Sequence, residues 1–314
     1  MARSRKLRIT ATAVVLAALA AAGASTTASA RPGPEKPRKP AACGAFFDDF
    51  NYSSRTDPNF TGHKWQVRTN AGGPGVGGAT WAANNVTFPV VDGRKALQLR
   101  ATTNGTPAGT THAQVQQRDL RFFEGTYATR FKFSDTPISG ADGDTVNQTF
   151  YTISPLDYDW EPTYSELDIS EYLPNGGWGE TGPVNFITSW NTYQADPFDG
   201  WRISEARRWS HAGWHTLVAT VGGGHVKYYI DGALAADHTT DAAGRSVYPR
   251  RPMTLNYNQW FIDLTGHTGG TSAYVQAADW VYYAKNEVLT PAAAVARVNS
   301  YRSAGATHAD TISC

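Results

Sequence analysis

The segment TYATRFKF, residues 126–133, decides the fold class of this chain. Its side chains alternate with a period of two, which is typical of a half-buried β-strand. The same alternation occurs earlier in ALQLR (96–100) and later in WHTLVATV (214–221), and Asp-Gly directly after KYYI (227–230) indicates a hairpin turn. Helical periodicity is nearly absent between residues 43 and 285. We therefore predict an all-β antiparallel sandwich or jelly roll.

A different pattern begins at Thr290, which suits a helix N-cap, followed by Pro291, which suits the first helical position. Val295, Val298 and Tyr301 then recur at helical spacing. We predict one short C-terminal helix that packs on the sandwich.

The N-terminal 42 residues have the pattern of an export segment. Basic residues at the start precede an apolar run at 9–22 and an Ala-Ser-Ala site at 28–30. This order predicts a secretory signal peptide over residues 1–30, because the apolar run is too short to span a bilayer. Residues 31–42, RPGPEKPRKPAA, predict a disordered leader. Residues 43–314 then form a single domain, and we expect a secreted, extracellular protein that is either released or held at the cell surface.

The only cysteines, Cys43 and Cys314, lie at the two ends of that predicted domain. In an oxidising compartment the simplest arrangement is a disulfide between them, and two free thiols are the alternative. The eight histidines show no paired metal-ligand spacing, so no metal site is predicted. The formal net charge of +1 gives no reason to expect nucleic acid or an anionic membrane as a partner.

The hexapeptide ELDISE, residues 166–171, carries the chemistry. Strict alternation puts Glu166 and Asp168 on one face of a strand and Glu171 on the other. One extra residue in a β-bulge at Ile169 or Ser170 brings all three acids to one face. Clustered carboxylates repel each other, so their pKa values separate. A retaining glycosidase needs such a pair, one a carboxylic acid and one a nucleophilic carboxylate, about 5–5.5 Å apart. A solvated acidic edge strand and a calcium-binding patch are the alternatives.

ELDISE resembles the E-x-D-x-x-E signature of glycoside hydrolase family 16 in its bulged form. Further segments resemble that family in the same chain order, over about residues 46–285. They are FDDF (47–50), KW (64–65), FEGTYATRFK (123–132), WHT (214–216) with YIDG (229–232), and DWVYY (279–283).

The resemblance implies a concanavalin-like β-jelly roll with a concave sugar cleft. Residue by residue, it assigns Glu166 as the nucleophile, Glu171 as the general acid/base, and Asp168 as the group that tunes Glu166. The implied reaction is endo-hydrolysis of a β-linked polysaccharide with retention of configuration, and β-1,3-glucan, mixed-linkage glucan and galactan all stay open as substrates. The bulged form resembles laminarinases and agarases more than lichenases. No cofactor is required, and a structural calcium ion occurs in similar proteins.

Aromatic and polar residues near the acids are candidates for sugar binding. Trp160, Trp190 and Trp260 are predicted stacking platforms, since indole combines an apolar face with a polar N–H. Gln148 and Arg130 are predicted hydroxyl contacts. Trp178 and Trp201 also lie in segments expected to border the cleft and are further candidates, and for any single Trp a place in the sandwich core is the alternative.

Two other functions stay open. A lectin-like protein of the same fold would bind polysaccharide without cleaving it. A polysaccharide lyase would need a Tyr or His base and cations that neutralise a uronate. The polysaccharide is the one predicted partner, and the protein is expected to act as a monomer.

Overall fold

The computed structural model describes residues 44–313. Its strands are β1 (Ala45–Asp48), β2 (Trp65–Val67), β3 (Thr80–Trp81), β4 (Val86–Thr87), β5 (Val90–Val91), β6 (Arg94–Lys95), β7 (Leu97–Thr103), β8 (Thr111–Phe122), β9 (Gly125–Phe133), β10 (Val146–Ile153), β11 (Glu166–Leu173), β12 (Gly176–Gly177), β13 (Glu180–Thr181), β14 (Val184–Gln194), β15 (Asp199–Arg207), β16 (Gly213–Gly222), β17 (His225–Ile230), β18 (Ala233–His238), β19 (Met253–Phe261), β20 (Ser272–Lys285) and β21 (His308–Asp310). The α-helices are α1 (Pro58–Gly62) and α2 (Pro291–Ser303), and two 3₁₀ turns cover Ala83–Asn85 and Pro107–Gly109.

Two antiparallel sheets pack face to face. We call the first the front sheet, with strand order β2-β8-β19-β10-β11-β14-β15. The second, the back sheet, runs β18-β17-β16-β9-β20, and the two halves of β20 then pair with β7 and with β1. The predicted all-β jelly roll is confirmed.

Alternation along β19 shows how the sequence builds both faces of the front sheet. Leu255 and Tyr257 are fully buried in the core between the sheets. The alternate residues of β19, such as Asn256, point to the opposite side of the sheet, which we call the front face. Tyr257 contacts Phe150 of the front sheet at 4.9 Å and Phe131 of the back sheet at 6.1 Å between ring centroids. This aromatic contact fixes the two sheets against each other.

The predicted C-terminal helix is confirmed as α2. Thr290 caps it by accepting a hydrogen bond from the Ala293 N–H at 3.2 Å. Val298 and Tyr301 are buried, while Val295 lies at the border of the contact. Tyr301 stacks on Phe47 of β1 at 4.9 Å, so α2 covers the outer side of the back sheet.

The predicted signal peptide, the leader, Cys43 and Cys314 lie outside the described residues. Within residues 44–313, no helix is both long and apolar enough to cross a membrane.

Candidate active site

The three acids lie on β11, near the middle of the front sheet. On β10, Phe150 pairs with Ser170 and Tyr151 pairs with Asp168, so Ile169 is an extra residue on β11. The pairing with β14 contains the same irregularity between Asp168 and Glu171. The predicted bulge is therefore present.

The bulge sorts the side chains of β11 by face. Leu167, Ile169 and Tyr172 are buried in the core between the sheets. Glu166 and Glu171, in contrast, are partly exposed on the front face, and Asp168 lies between them with 5% exposure. Without the extra residue, Glu171 would point into the core.

Each carboxyl group is held by one donor from a neighbouring element. The Tyr164 hydroxyl donates to Glu166 Oε2. Trp190 Nε1 donates to Asp168 Oδ2 at 2.8 Å, and Asn147 Nδ2 donates to Glu171 Oε1 at 3.0 Å. Each bond orients its carboxyl group and favours the charged form.

Burial and mutual repulsion act in the opposite direction. Burial raises the pKa of Glu166 and of Glu171 well above the usual range, and the neighbouring Asp168 charge adds to both shifts. Burial also raises the pKa of Asp168 to about 7, although the Trp190 N–H and the Arg202 charge oppose it. Burial and repulsion thus favour keeping a proton on the cluster, which suits a site that needs a carboxylic acid beside a carboxylate.

Neutral polar side chains continue the front face beside the acids. Asn256 and Asn258 of β19 pair with Gln116 and Gln114 of β8. Gln114 Nε2 donates to Gln116 Oε1 at 3.1 Å. Amides both donate and accept hydrogen bonds, as sugar hydroxyls do, so this row suits an uncharged sugar chain.

Comparisons with known proteins identify the fold. No family model matches the chain. A β-glucanase of Paenibacillus macerans is 23% identical over 249 residues, which cover 78% of this chain and 90% of that protein. A glycoside hydrolase family 16 endo-glucanase from Bacteroides ovatus superposes with a TM-score of 0.55 at 17% identity, covering 75% of this chain and 98% of that one.

The chain has the fold of glycoside hydrolase family 16. The resemblance drawn from the sequence is confirmed at this level. The same fold occurs in an immunostimulatory antigen and pseudo β-1,3-glucanase of Mycobacterium tuberculosis, with a TM-score of 0.53, 19% identity and coverage of 76% of this chain and 98% of that one.

Within this family 16 fold, two of the three predicted tryptophans lie on the front face. Trp190 pairs directly with Glu166 across β11 and β14. Trp260 pairs with Asn147 and is only 6% exposed, with the Trp178 ring at 5.9 Å between centroids and the backbone of Gly75 close to its own ring. Trp260 thus supports another ring rather than offering a free surface.

Trp160 lies on the loop before β11 and does not contact the acids. Its ring packs on Trp201 at 4.6 Å, and its Nε1 donates to Gln194 Oε1 at 2.6 Å. The Arg245 guanidinium covers the other tryptophan at 4.1 Å. This stack lies at the edge of the front sheet.

The predicted hydroxyl contacts Gln148 and Arg130 are wrong in their placement. Gln148 shares the side of β10 with buried Phe150, and its amide bonds the backbone of Ser134. Arg130 lies on β9 of the back sheet, where it pairs with Asp279 at 3.0 Å and covers Trp214 at 4.4 Å. Both point away from the front face.

Sequence reasoning missed three residues that contact or approach the acids. They are Tyr164, Asn147 and Arg202, the last of which lies 4.6 Å above the Trp190 ring. Alternation from buried Phe150 would have found Asn147 instead of Gln148, because positions 147, 149 and 151 share the front face. Tyr164 and Arg202 carried no sequence signal, since they reach the site through a loop and a neighbouring strand.

One group of metal-ligating residues lies outside the acid cluster in the described part of the chain. Asp48, His63 and His308 place one ligand atom each within 4.8 Å of the others. The Asp48 carboxylate already accepts from the Tyr52 hydroxyl and from Trp65 Nε1 at 2.8 Å. Imidazole donors do not suit calcium. The structural calcium therefore gains no ligand set here and stays a prediction.

Proposed function

We propose that this chain is a secreted, retaining endo-glycosidase that hydrolyses a β-linked polysaccharide, with β-glucan as its substrate class. The observation that carries the proposal is the bulged strand β11, which presents Glu166, Asp168 and Glu171 on one open face. Such a partly buried, mutually repelling set is unfavourable for folding and is useful for acid–base chemistry.

In the first step, Glu166 attacks the anomeric carbon while Glu171 delivers its proton to the glycosidic oxygen. The Tyr164 hydroxyl occupies Glu166 Oε2, so Oε1 is left to attack. Asn147 occupies Glu171 Oε1, so Oε2 is left to carry the proton. The reducing-end part of the chain leaves as the first product, and the rest of the chain remains as a glycosyl ester on Glu166.

In the second step, Glu171, now a carboxylate, removes a proton from water, and the water oxygen attacks the anomeric carbon. The ester bond to Glu166 breaks, which regenerates both carboxyl groups and retains the configuration. Asp168, held by Trp190, keeps a partial negative charge beside Glu166. We infer that it shares a proton with Glu166 and releases that proton as the attack proceeds.

The β-glucan class is supported by two observations. The curated relative and the Bacteroides neighbour are glucanases. The front face also carries four amide side chains on β8 and β19, beyond β10 as seen from the acids (Gln114, Gln116, Asn256 and Asn258). Amides donate and accept hydrogen bonds as sugar hydroxyls do, so they suit a glucan chain.

The test compares purified protein with its Glu166→Gln and Asp119→Asn variants on β-1,3-glucan, mixed-linkage glucan, agarose and carrageenan. New reducing ends are quantified, and the anomer formed first is read by proton NMR. We expect release from one β-glucan with the β-anomer first, loss of at least about 10³-fold in Glu166→Gln, and full activity in Asp119→Asn. Asp119 is a surface residue paired with Lys64 at 2.9 Å.

A sugar-binding protein without turnover is the second candidate, since the pseudo β-1,3-glucanase shares the fold. Binding to a polysaccharide without release of reducing ends would favour this second candidate. Three clustered acids on one face have no evident role in such a protein, so hydrolysis is our conclusion.

A further inference from the structure

Trp178 is a large apolar side chain at the tip of the β12–β13 hairpin, and it is 48% exposed. One side of its ring lies against Phe186 at 5.6 Å and Trp260 at 5.9 Å, measured between ring centroids. Both of these supporting rings belong to the front face. Trp178 therefore presents an indole above the same face that carries the acids.

The backbone of this hairpin is unfavourable for tryptophan. Trp178 has φ +52° and Gly179 has φ +91°, and they form the two-residue loop between the paired Gly177 and Glu180. Two successive positive φ angles define a turn that favours Asn-Gly. A β-carbon in this conformation is strained, so the ring is present at a cost to stability.

The hairpin is also held firmly in place. A Cβ at Gly177 would lie 2.6 Å from Leu173 and 2.7 Å from Ile262, so the backbone packs closely on the sheet there. Glu180 accepts two hydrogen bonds from Arg208, at 2.6 and 2.7 Å. The indole is thus preorganised, which lowers the entropy cost of stacking a ligand on it.

The supporting rings place Trp178 at the Glu171 end of the site. Phe186 pairs with Glu171 across β11 and β14. Trp260 pairs with Asn147, the residue that donates to Glu171. Trp190, in contrast, pairs with Glu166. In a displacement the leaving oxygen lies opposite the nucleophile and next to the acid, so the Glu171 end faces the departing sugar.

We propose that Trp178 is the binding platform for the sugar on the leaving-group side of the scissile bond. The proposal rests on the proposed glycosidase function and assigns the C–H face of a neutral pyranose as the ligand. It accounts for a strained, exposed indole at a turn that Asn would serve better.

The experiment uses Trp178→Asn, which suits the turn, and Trp178→Phe, which keeps a ring. Trp209→Asn is the matched control, because Trp209 is 52% exposed and its ring stacks on His211 instead. Each protein is assayed on the polymer that the wild type cleaves and on the β-glycosyl fluoride of the corresponding oligosaccharide. In the glycosyl fluoride, a fluorine atom replaces the leaving sugar and leaves no ring to stack on Trp178. Retardation in a gel that contains the polymer is measured in parallel.

For Trp178→Asn we expect kcat/KM on the polymer to fall by about tenfold, the scale of losing one aromatic anchor. Hydrolysis of the glycosyl fluoride should stay within about twofold, because this substrate has no leaving sugar for Trp178 to contact. The variant should have an equal or higher Tm, Trp178→Phe should recover part of the activity, and Trp209→Asn should match the wild type.

An equal loss on both substrates, or no loss on either, would overturn the proposal. Failure of the proposed function looks different, because the wild type would then release nothing from any substrate. In that case gel retardation decides. Weaker retardation of Trp178→Asn than of Trp209→Asn supports the platform, and equal or absent retardation overturns it.

Discussion

Trp190 donates its indole N–H to Asp168 Oδ2 at 2.8 Å while its backbone pairs with the residue two positions earlier, Glu166. One side chain on β14 therefore fixes the central acid of the cluster and stands beside the proposed nucleophile. The bond favours ionised Asp168 against the burial that raises its pKa to about 7.

Trp190→Phe keeps an aromatic ring and removes this donor. The ionised form of Asp168 then loses a hydrogen bond, so its pKa rises and the acidic limb of kcat against pH moves to higher pH. We expect kcat to fall about 10- to 100-fold, the size of one lost charge-assisted hydrogen bond. The matched control is Trp201→Phe, at the edge stack with Trp160. An unchanged acidic limb in Trp190→Phe would contradict the assignment.

Glu171→Gln is expected to stabilise the protein at neutral pH. The pKa of Glu171 is raised in the folded state, so the wild type loses stability as pH rises from the unfolded value of about 4.3 toward the folded value. Gln cannot ionise, and its carbonyl can still accept from Asn147. The free energy of unfolding should rise by about 1–2 kcal/mol at pH 7, and the difference should shrink toward pH 4.

Glu180→Gln provides a comparison in which the pKa shift of the replaced glutamate has the opposite sign. The Arg208 guanidinium lowers the pKa of Glu180, so removing that charge should not stabilise the protein at neutral pH. If urea titrations showed equal gains for both variants, the gain at Glu171 would not come from its raised pKa.

Arg130→Gln should affect stability and leave substrate binding unchanged. Arg130 shares the buried carboxylate of Asp279, on β20 of the back sheet, with Arg302 of α2, so one partner remains after the substitution. We expect a loss of about 1–2 kcal/mol in the free energy of unfolding. KM for the polymer should equal that of the wild type. A large rise in KM would return Arg130 to the substrate site.

His112 makes the fold sensitive to acid. Its Nε2 accepts the Phe261 N–H at 3.2 Å, which requires the neutral ring, and burial lowers its pKa to about 4. The unfolded chain takes up this proton near pH 6.5, so stability falls as pH decreases from about 6.5 toward 4. His112→Gln should flatten the dependence of the unfolding free energy on pH over this window. An unchanged slope would show that other groups control it.

Local patterns predicted the architecture well, and side-chain placement depended on information that the sequence does not carry locally. The bulge at Ile169 followed from the need to bring Glu171 to the face of Glu166. Arg130 was misplaced because sheet membership of β9 depends on distant pairing with β16 and β20. Gln148 was misplaced by one step of alternation. Trp178 was ranked below the other candidate tryptophans because its role depends on where a hairpin folds back over the sheet.

The most direct test of the account assigns the two glutamates by azide rescue. Glu166→Ala and Glu171→Ala are each incubated with an activated aryl glycoside and sodium azide, and the glycosyl azide is identified by NMR. We predict the α-azide from Glu166→Ala, because azide replaces the nucleophile directly. We predict the β-azide from Glu171→Ala, because azide then attacks the glycosyl-enzyme ester. The reverse pattern would exchange the two roles, and rescue of neither variant would contradict a double displacement at this site.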